Sequence, residues 1–356
     1  MPESSSTRTP LSVALIGYGF ASKTFHAPLL TNVPGLRLAQ IVSSDRAKVH
    51  RDYPDIPVLA RADEAFARPE IDIIVIATPN DTHFDLAQKA LRANKHVVID
   101  KPFTNTAAEA AELIKLARER GKLLSAFQSR RWDGDYLTLR KLVAERTLGD
   151  IALFESHYDR YRPEPRQRWR EQPGPGGGIW YDLGAHLVDQ VLQLFGAPEA
   201  IYADLEIQRH LGQANDYFHV ILRYGKRRVI LHGGLLVAAG TPRFTVHGTL
   251  GSFTKFGMDT QEDSFKRGDT PGGPGWGYDP NMGTLITKAG DGFQTRPLAN
   301  FEGNYLRYYE GFRDAVTNGA LNPVPADDAL EVINVIEIAM KSSAARAEMP
   351  YHPVKL

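Results

Sequence analysis

The chain has 356 residues, with 42 lysines and arginines against 42 aspartates and glutamates, and no cysteine. Zero net charge leaves no bulk field to draw it to nucleic acid or an anionic membrane, and the lack of thiols removes disulfides, thiolate nucleophiles and cysteine-bound zinc or iron–sulfur centres. The length exceeds what one core usually supports, so two domains acting on a small polar or neutral ligand are the expectation.

The opening MPESSSTRTP is polar and has no secretory apolar stretch, and the longest apolar run, Ile71 to Ala77, is far too short to span a bilayer. A cytoplasmic protein with a flexible tail over 1–10 is expected. Val13 to Ile16 then forms an apolar strand that runs into GYGFAS. In such a turn the first glycine, Gly17, permits tight reversal and the second, Gly19, lets backbone approach a pyrophosphate. The third small position, Ser22, allows helix-on-strand packing, and backbone N–H groups at the helix start face the phosphates. Gly17, Gly19 and Phe20 are therefore candidate cofactor contacts. Gly-x-Gly recurs at Gly174/Gly176 and Gly275/Gly277, where no apolar strand precedes it, so only the strand-turn-helix context singles out the first copy.

Leu36 to Val42 predicts a second strand, followed by Ser43, Ser44, Asp45 and Arg46. Roughly 20 residues beyond the glycines an NAD site places a carboxylate on the ribose, whereas an NADP site places small hydroxyls and a cation. Asp45 fits the first and Ser43, Ser44 and Arg46 the second; the balance favours NADP, with NAD as the alternative. Ile71 to Ala77 predicts a third strand, broken by Thr78, Pro79 and Asn80 before an amphipathic helix over 81–93. Val97 to Ile99 predicts a buried strand that stops at Asp100, Lys101 and Pro102, the strand end at which an open α/β sheet carries its chemistry. Thr106 with Glu109 forms a capping box that opens a helix ending near Gly121, and Leu123 to Phe127 is one more strand. This alternation implies a doubly wound parallel sheet over 11–128, a Rossmann domain.

After Gln128 the rhythm changes. A helix is expected over 130–146 and a strand over 151–158. Runs at 201–207, 217–223, 228–236 and 244–247 then imply a largely antiparallel open sheet in an α+β domain over 129–326 that holds substrate and mediates oligomerisation. Gly268 to Gly283 is too rich in glycine and proline for a regular element and reads as a surface loop or an arm on a neighbour. Helices are expected over 304–318 and 327–346, the second docking on a domain face through Ala329, Ile333, Ile336 and Met340, with the tail to 356 following it.

Pro173 to Gly196 holds the informative stretch, in which Asp182 and His186 fall one helical turn apart on one face. Such a pair can present an acid and an imidazole to one bound hydroxyl. No metal is expected here, because a His–carboxylate zinc centre needs a third ligand and no HExxH-type partner motif is present.

Taken together, GYGFAS after a strand, TPNDTH, ALRANKHVVIDKP and GGGIWYDLGAHLVD resemble the Gfo/Idh/MocA family of NAD(P)-dependent sugar and polyol oxidoreductases, from about Leu11 to Lys341. GYGFASKTFHAPLL and RRWDGDYLTL are most similar to its NADP-dependent scyllo-inositol dehydrogenase branch. Asp100 stands where most members carry Glu before the lysine; Lys101, Asp182 and His186 match. The resemblance implies hydride transfer between a polyol or sugar hydroxyl carbon and nicotinamide. His186 would take the hydroxyl proton, Lys101 would hold the same oxygen, and Asp182 would accept from a neighbouring hydroxyl or fix the imidazole. Thr78, Asn80, His83 and Gln128 would line the nicotinamide half beside Asp100 and Lys101, with Trp169 and Arg170 closing over it. Arg130, Trp132, Tyr158 and Arg160 are the candidate substrate contacts, aromatics for the ring and arginines for hydroxyls. A homodimer or homotetramer is the expected assembly. A cofactor-binding regulator without turnover and an NAD-dependent glycoside hydrolase of the same fold are the alternatives.

Overall fold

The computed structural model describes residues 9–356, so most of the expected 1–10 tail lies outside the described residues. Six short strands form the first sheet: β1 (Leu11–Ile16), β2 (Leu36–Val42), β3 (Val58–Leu59), β4 (Ile73–Ile76), β5 (His96–Ile99) and β6 (Leu124–Ala126). They lie in the order β3-β2-β1-β4-β5-β6, and every pairing is parallel. Strands buried on both faces need continuous apolar sequence, which Ile73–Ile76 and Val97–Ile99 supply with at most 1% exposure. The order reverses at β1, so right-handed crossovers put helices on both faces and open a crevice at the β1/β4 carboxyl ends.

The second sheet comprises β7 (Ile151–His157), β8 (Ala200–Glu206), β9 (Tyr217–Tyr224), β10 (Arg227–Gly234), β11 (Pro242–Gly248), β12 (Gly251–Phe256), β13 (Gly283–Ala289), β14 (Gly292–Leu298) and β15 (Met349–Pro350). The order is β14-β13-β12-β11-β7-β10-β9-β8-β15, antiparallel except for β7 beside β10. Phe154, Phe218, Val220, Leu222, Val229, Leu231, Phe244 and Val246 are completely buried on one face, while most of their alternates, the buried Arg243 apart, are partly or fully exposed. That alternation is what a sheet with one packed and one open face requires.

Several expected elements shift. The helix expected over 130–146 is divided: Ser129–Trp132 is a 3₁₀ turn and the α-helix runs Gly134–Ala144, because the Asp133 carboxylate between them is drawn inward to Arg130 and the Tyr305 hydroxyl. Thr106 and Glu109 cap the Ala107–Arg120 helix reciprocally, and Gly121 closes it at φ +59°. The Ala326–Ala345 helix packs on that helix and on β8, joining the two sheets, but Met340 is 42% exposed where Ala329, Ile333 and Ile336 are buried. The Gly/Pro stretch forms turns and irregular backbone up to Gly283, where β13 begins, and its Trp276 ring is buried in its own chain against Phe265, with the indole N–H donated to Gln261. The β13–β14 hairpin turns at Gly290-Asp291, a two-residue Gly-Asp loop with Gly290 at φ +59° that the sequence reading passed over. Among the described residues no helix is long and apolar enough to cross a membrane.

Candidate active site

Gly17 follows β1 at φ +92°, and a Cβ there would stand 2.8 Å from the Ala77 carbonyl oxygen and 2.9 Å from Thr78 Cγ2. Only glycine lets the β1 and β4 strand ends meet so closely. Gly19 is different: nothing lies within 4 Å of where its Cβ would be, which is the room a pyrophosphate needs. Ser22, the third small position, is fully buried.

Beyond β2, the Asp45 carboxylate accepts from Lys48 N–H as the N-cap of the Arg46–Asp52 helix, and Ser43 Oγ accepts from Asp45 N–H. Asp45 is thus explained by helix capping. Ser44 and Arg46 are exposed beside it, with Arg46 donating to the Val58 carbonyl. Lys48, which the sequence reading did not single out, donates to the Tyr18 carbonyl across this strand end.

Thr78 bonds Thr82 through their hydroxyls, and Asn80 donates to the Gly176 carbonyl, tying the β4 loop to the glycine-rich segment of the second half. His83 is buried, one ring nitrogen 3.0 Å from the Thr78 carbonyl and the other 3.0 Å from the Pro102 carbonyl. Its ring therefore ties the loops after β4 and β5 together. Gln128 is buried as well, and its Oε1 has no protein partner.

Asp100 turns back on its own loop: Oδ1 accepts from Lys101 N–H and stands 3.7 Å from His26 Nε2. Burial pushes its carboxyl up, but His26, Lys101 and His83 together hold it below the usual carboxylate range. The shorter Asp reaches its own next N–H and the neighbouring His26 ring. Lys101 Nζ points the other way and donates to both the backbone oxygen and the Oδ1 of Asp182, at 2.7 and 2.9 Å. Asp182 therefore pins the ammonium, which neither of its expected roles anticipated. Against the cost of burial, Lys101, Arg170 and Arg160 hold its carboxyl far below the ordinary value.

Asp182 and His186 do not share a regular α-turn. Trp180–Gly184 is a π-turn, and the α-helix begins at Ala185. The cause is steric: the fully buried Trp180 ring lies over Gly184, where a Cβ would stand 2.2 Å from it. Such widened turns recur at functional sites. His186 is 8% exposed, its Nδ1 has no partner, and burial, reinforced by the Lys101 and Arg130 charges, holds its pKa well below that of a free imidazole. It is neutral at physiological pH.

Lys101, Asp182 and His186 line one cavity of about 450 Å³ together with Phe20, Arg130, Tyr158, Arg160 and Arg170. Tyr158 is sandwiched by cations, and its hydroxyl accepts from Arg130 and Arg160 at 2.9 and 3.2 Å. Arg130 is further held by Glu262 at 2.7 Å. Two expected contacts fall elsewhere. Trp132 lines a separate cavity with Trp276, Asn304 and Arg307, because the 3₁₀ turn carries its ring towards Tyr308. Trp169 is 38% exposed and reaches the site only through Arg170, whose guanidinium stacks on it at 5.0 Å. The cavity also takes in Arg162, Arg166, Arg168 and Lys266. Their signal was present as the arginine-dense run Arg160 to Arg170, and went unused because loop charge is ordinarily solvated.

Two family models match the chain: the NAD-binding Rossmann fold of the GFO_IDH_MocA oxidoreductase family over 11–128, and the C-terminal alpha/beta domain of the same family over 140–355. The chain belongs to the Gfo/Idh/MocA oxidoreductase family. It is 51% identical to the uncharacterised Escherichia coli oxidoreductase YdgJ, over 95% of this chain and 98% of that one. To the Bacillus subtilis scyllo-inositol 2-dehydrogenase (NADP(+)) IolW it is 41% identical, over 94% of each. Among solved structures, that of YPO2259 from Yersinia pestis superposes with a TM-score of 0.94 at 51% identity, covering 98% and 99% of the two chains. As a member of this family the chain is an NAD(P)-dependent dehydrogenase, and its first sheet is the nucleotide-binding part.

Proposed function

We propose that the enzyme is an NADP-dependent oxidoreductase of a polyol or sugar, inositol-like, with Lys101 and His186 acting on one hydroxyl. The observation that carries this reading is the Lys101 ammonium, fixed by Asp182 in the cavity that neutral His186 also lines. The space over Gly19 and the exposed Ser44 and Arg46 at the β2 end fit the pyrophosphate and 2′-phosphate of NADP. Bound NADP would supply the acceptor for a hydride leaving the carbinol carbon. The protein's own part is to take the hydroxyl proton on His186 and to stabilise alkoxide charge with the Lys101 ammonium. Arg130, Tyr158 and Arg160 would hold the remaining hydroxyls. The substrate class follows from these hydroxyl-binding groups and from the likeness to IolW, whose name gives scyllo-inositol and NADP(+). Assembly as a homodimer or homotetramer, which sedimentation would size, belongs to the same proposal.

The test is a screen of inositols and hexoses with NADP and NAD in parallel, reporting kcat/KM. Lys101→Ala and His186→Ala should each lower turnover on the best substrate by roughly 10²–10⁴ with NADPH affinity kept. Undiminished turnover in either rejects the assignment. Cofactor binding without oxidation of any polyol or sugar would point instead to a regulator.

A further inference from the structure

On the open face of the nine-stranded sheet, where His157 and Asp159 alternate along the chain with the cavity residues Tyr158 and Arg160, register gathers a row of imidazoles. Parallel pairing of β10 with β7 sets His232 beside His157, and antiparallel pairing of β10 with β9 sets His232 beside His219. Asp159, two residues past His157, falls on the same side. We propose that His157, Asp159 and His232 form a binding site for a divalent transition metal of the zinc class, with His219 and Glu155 orienting the two imidazoles.

The geometry suits the ion. The ligand atoms of the three residues all lie within 4.8 Å of one another. His157 Nδ1 stands 3.4 Å from Asp159 Oδ2, and His232 Nε2 stands 3.5 Å from Asp159 Oδ1. Neighbouring ligands in a tetrahedral zinc shell, with bonds of about 2.0–2.1 Å, are separated by about 3.3–3.4 Å. The carboxylate is already oriented: Gly234 N–H donates to Oδ1 and the Thr241 hydroxyl to Oδ2. His157 and His232 keep side-chain exposures of 19% and 18%, so an ion can enter, while Asp159 at 5% is a rigid anchor.

Proton counting gives the second argument. His157 lies between two carboxylates, with Nε2 3.6 Å from Glu155 and Nδ1, which has no hydrogen-bond partner, facing Asp159. An imidazole held between two carboxylates must either carry a proton on each nitrogen or place a metal cation between one nitrogen and its carboxylate. With the proton on Nε2 towards Glu155, the Nδ1 lone pair and Asp159 converge on one point. This is the carboxylate–histidine–metal arrangement by which outer groups fix a ligand's tautomer. His232 can do the same, donating Nδ1–H to His219 Nδ1 at 3.4 Å and leaving Nε2 for the metal. Two imidazoles and one carboxylate with an open fourth position suit zinc or cobalt better than magnesium or calcium.

The full chain, stripped with chelator and dialysed at about pH 8, where imidazole ligands ordinarily compete least with protons, would be titrated calorimetrically with zinc alone and spectroscopically with cobalt(II) alone. One equivalent per chain and the visible bands of four-coordinate cobalt are expected. Asp159→Asn and the double variant His157→Gln/His232→Gln should abolish both. Glu155→Gln should weaken binding by about 10–100-fold, while His186→Gln, in the other cavity, should leave it unchanged. Circular dichroism checks that each variant is folded, and Glu155→Gln keeps the test decisive if the others are not. Wild-type chain that takes up no zinc, or stoichiometry unchanged in Asp159→Asn, overturns the proposal and leaves the cluster as a proton-sharing network.

Discussion

At the scale of single residues, the site depends on how charges are held. The Lys101–Asp182 pair is mostly withdrawn from water, at 13% and 15% side-chain exposure, so each partner needs the other. Asp182→Asn should cost stability on the order of 1.5–3 kcal/mol, the worth of a charged hydrogen bond, read from denaturant midpoints. It should also lower kcat at least tenfold, since the ammonium loses its fixed place. His186 makes a pH prediction whose sign follows from its environment. Burial and the neighbouring cations depress its pKa, so the proton-accepting form persists below the ordinary imidazole value of about 6.5. The acid limb of kcat/KM for oxidation should therefore have its midpoint below 6.5, and His186→Gln should lose that limb. A midpoint above about 7 would rule out a buried neutral base.

At the scale of elements, the π-turn at Trp180–Gly184 aims Asp182 at Lys101, and its shape comes from one close contact. Gly184→Ala would drive a methyl into the Trp180 ring, an overpacking that costs about 1–3 kcal/mol. Because the turn itself carries Asp182, turnover should fall together with the melting temperature. The Thr106 cap offers the contrast. Thr106→Ala should cost about 0.5–2 kcal/mol with kcat unchanged, because that helix lies outside the cavity. If both variants lost equal turnover, the turn would have no special link to the site. Capping, strand and helix signals of this kind were legible in sequence. The π-turn was not, since its cause is a tryptophan ring folded back on a glycine four residues away. Nor was the displacement of Trp132, which follows from burial of Asp133 next to it.

At the scale of the whole molecule, the two sheets are held together by the Ala326–Ala345 helix and by buried polar ties such as Asn80 to Gly176. The strand-end loop of Asp100 and Lys101 and the arginine-rich loop thus line one cavity. Ligand that binds only the folded state should raise the melting temperature as its concentration grows, adding about 2.7 kcal/mol of stability at a hundredfold excess over Kd. With Asp45 committed to capping and Ser44 and Arg46 exposed beside it, NADPH should give the larger shift at equal concentration; an equal or larger shift from NADH would reverse the cofactor preference.

What the sequence determined by itself is what period and local chemistry encode. Continuous apolar runs make strands buried on both faces, alternating runs make strands with one open face, and a glycine turn after a strand makes a nucleotide crevice. Spacing also put Asp182 and His186 close together in one stretch of chain. Only the tertiary structure decided which groups meet. Asp182 closes on Lys101, Asp100 turns to His26, His83 clamps two loops, five arginines of one loop face the cavity, and His157, Asp159 and His232 converge on the outer sheet face. Those encounters depend on sheet register and close packing between segments far apart in the chain, and no local pattern carries that information.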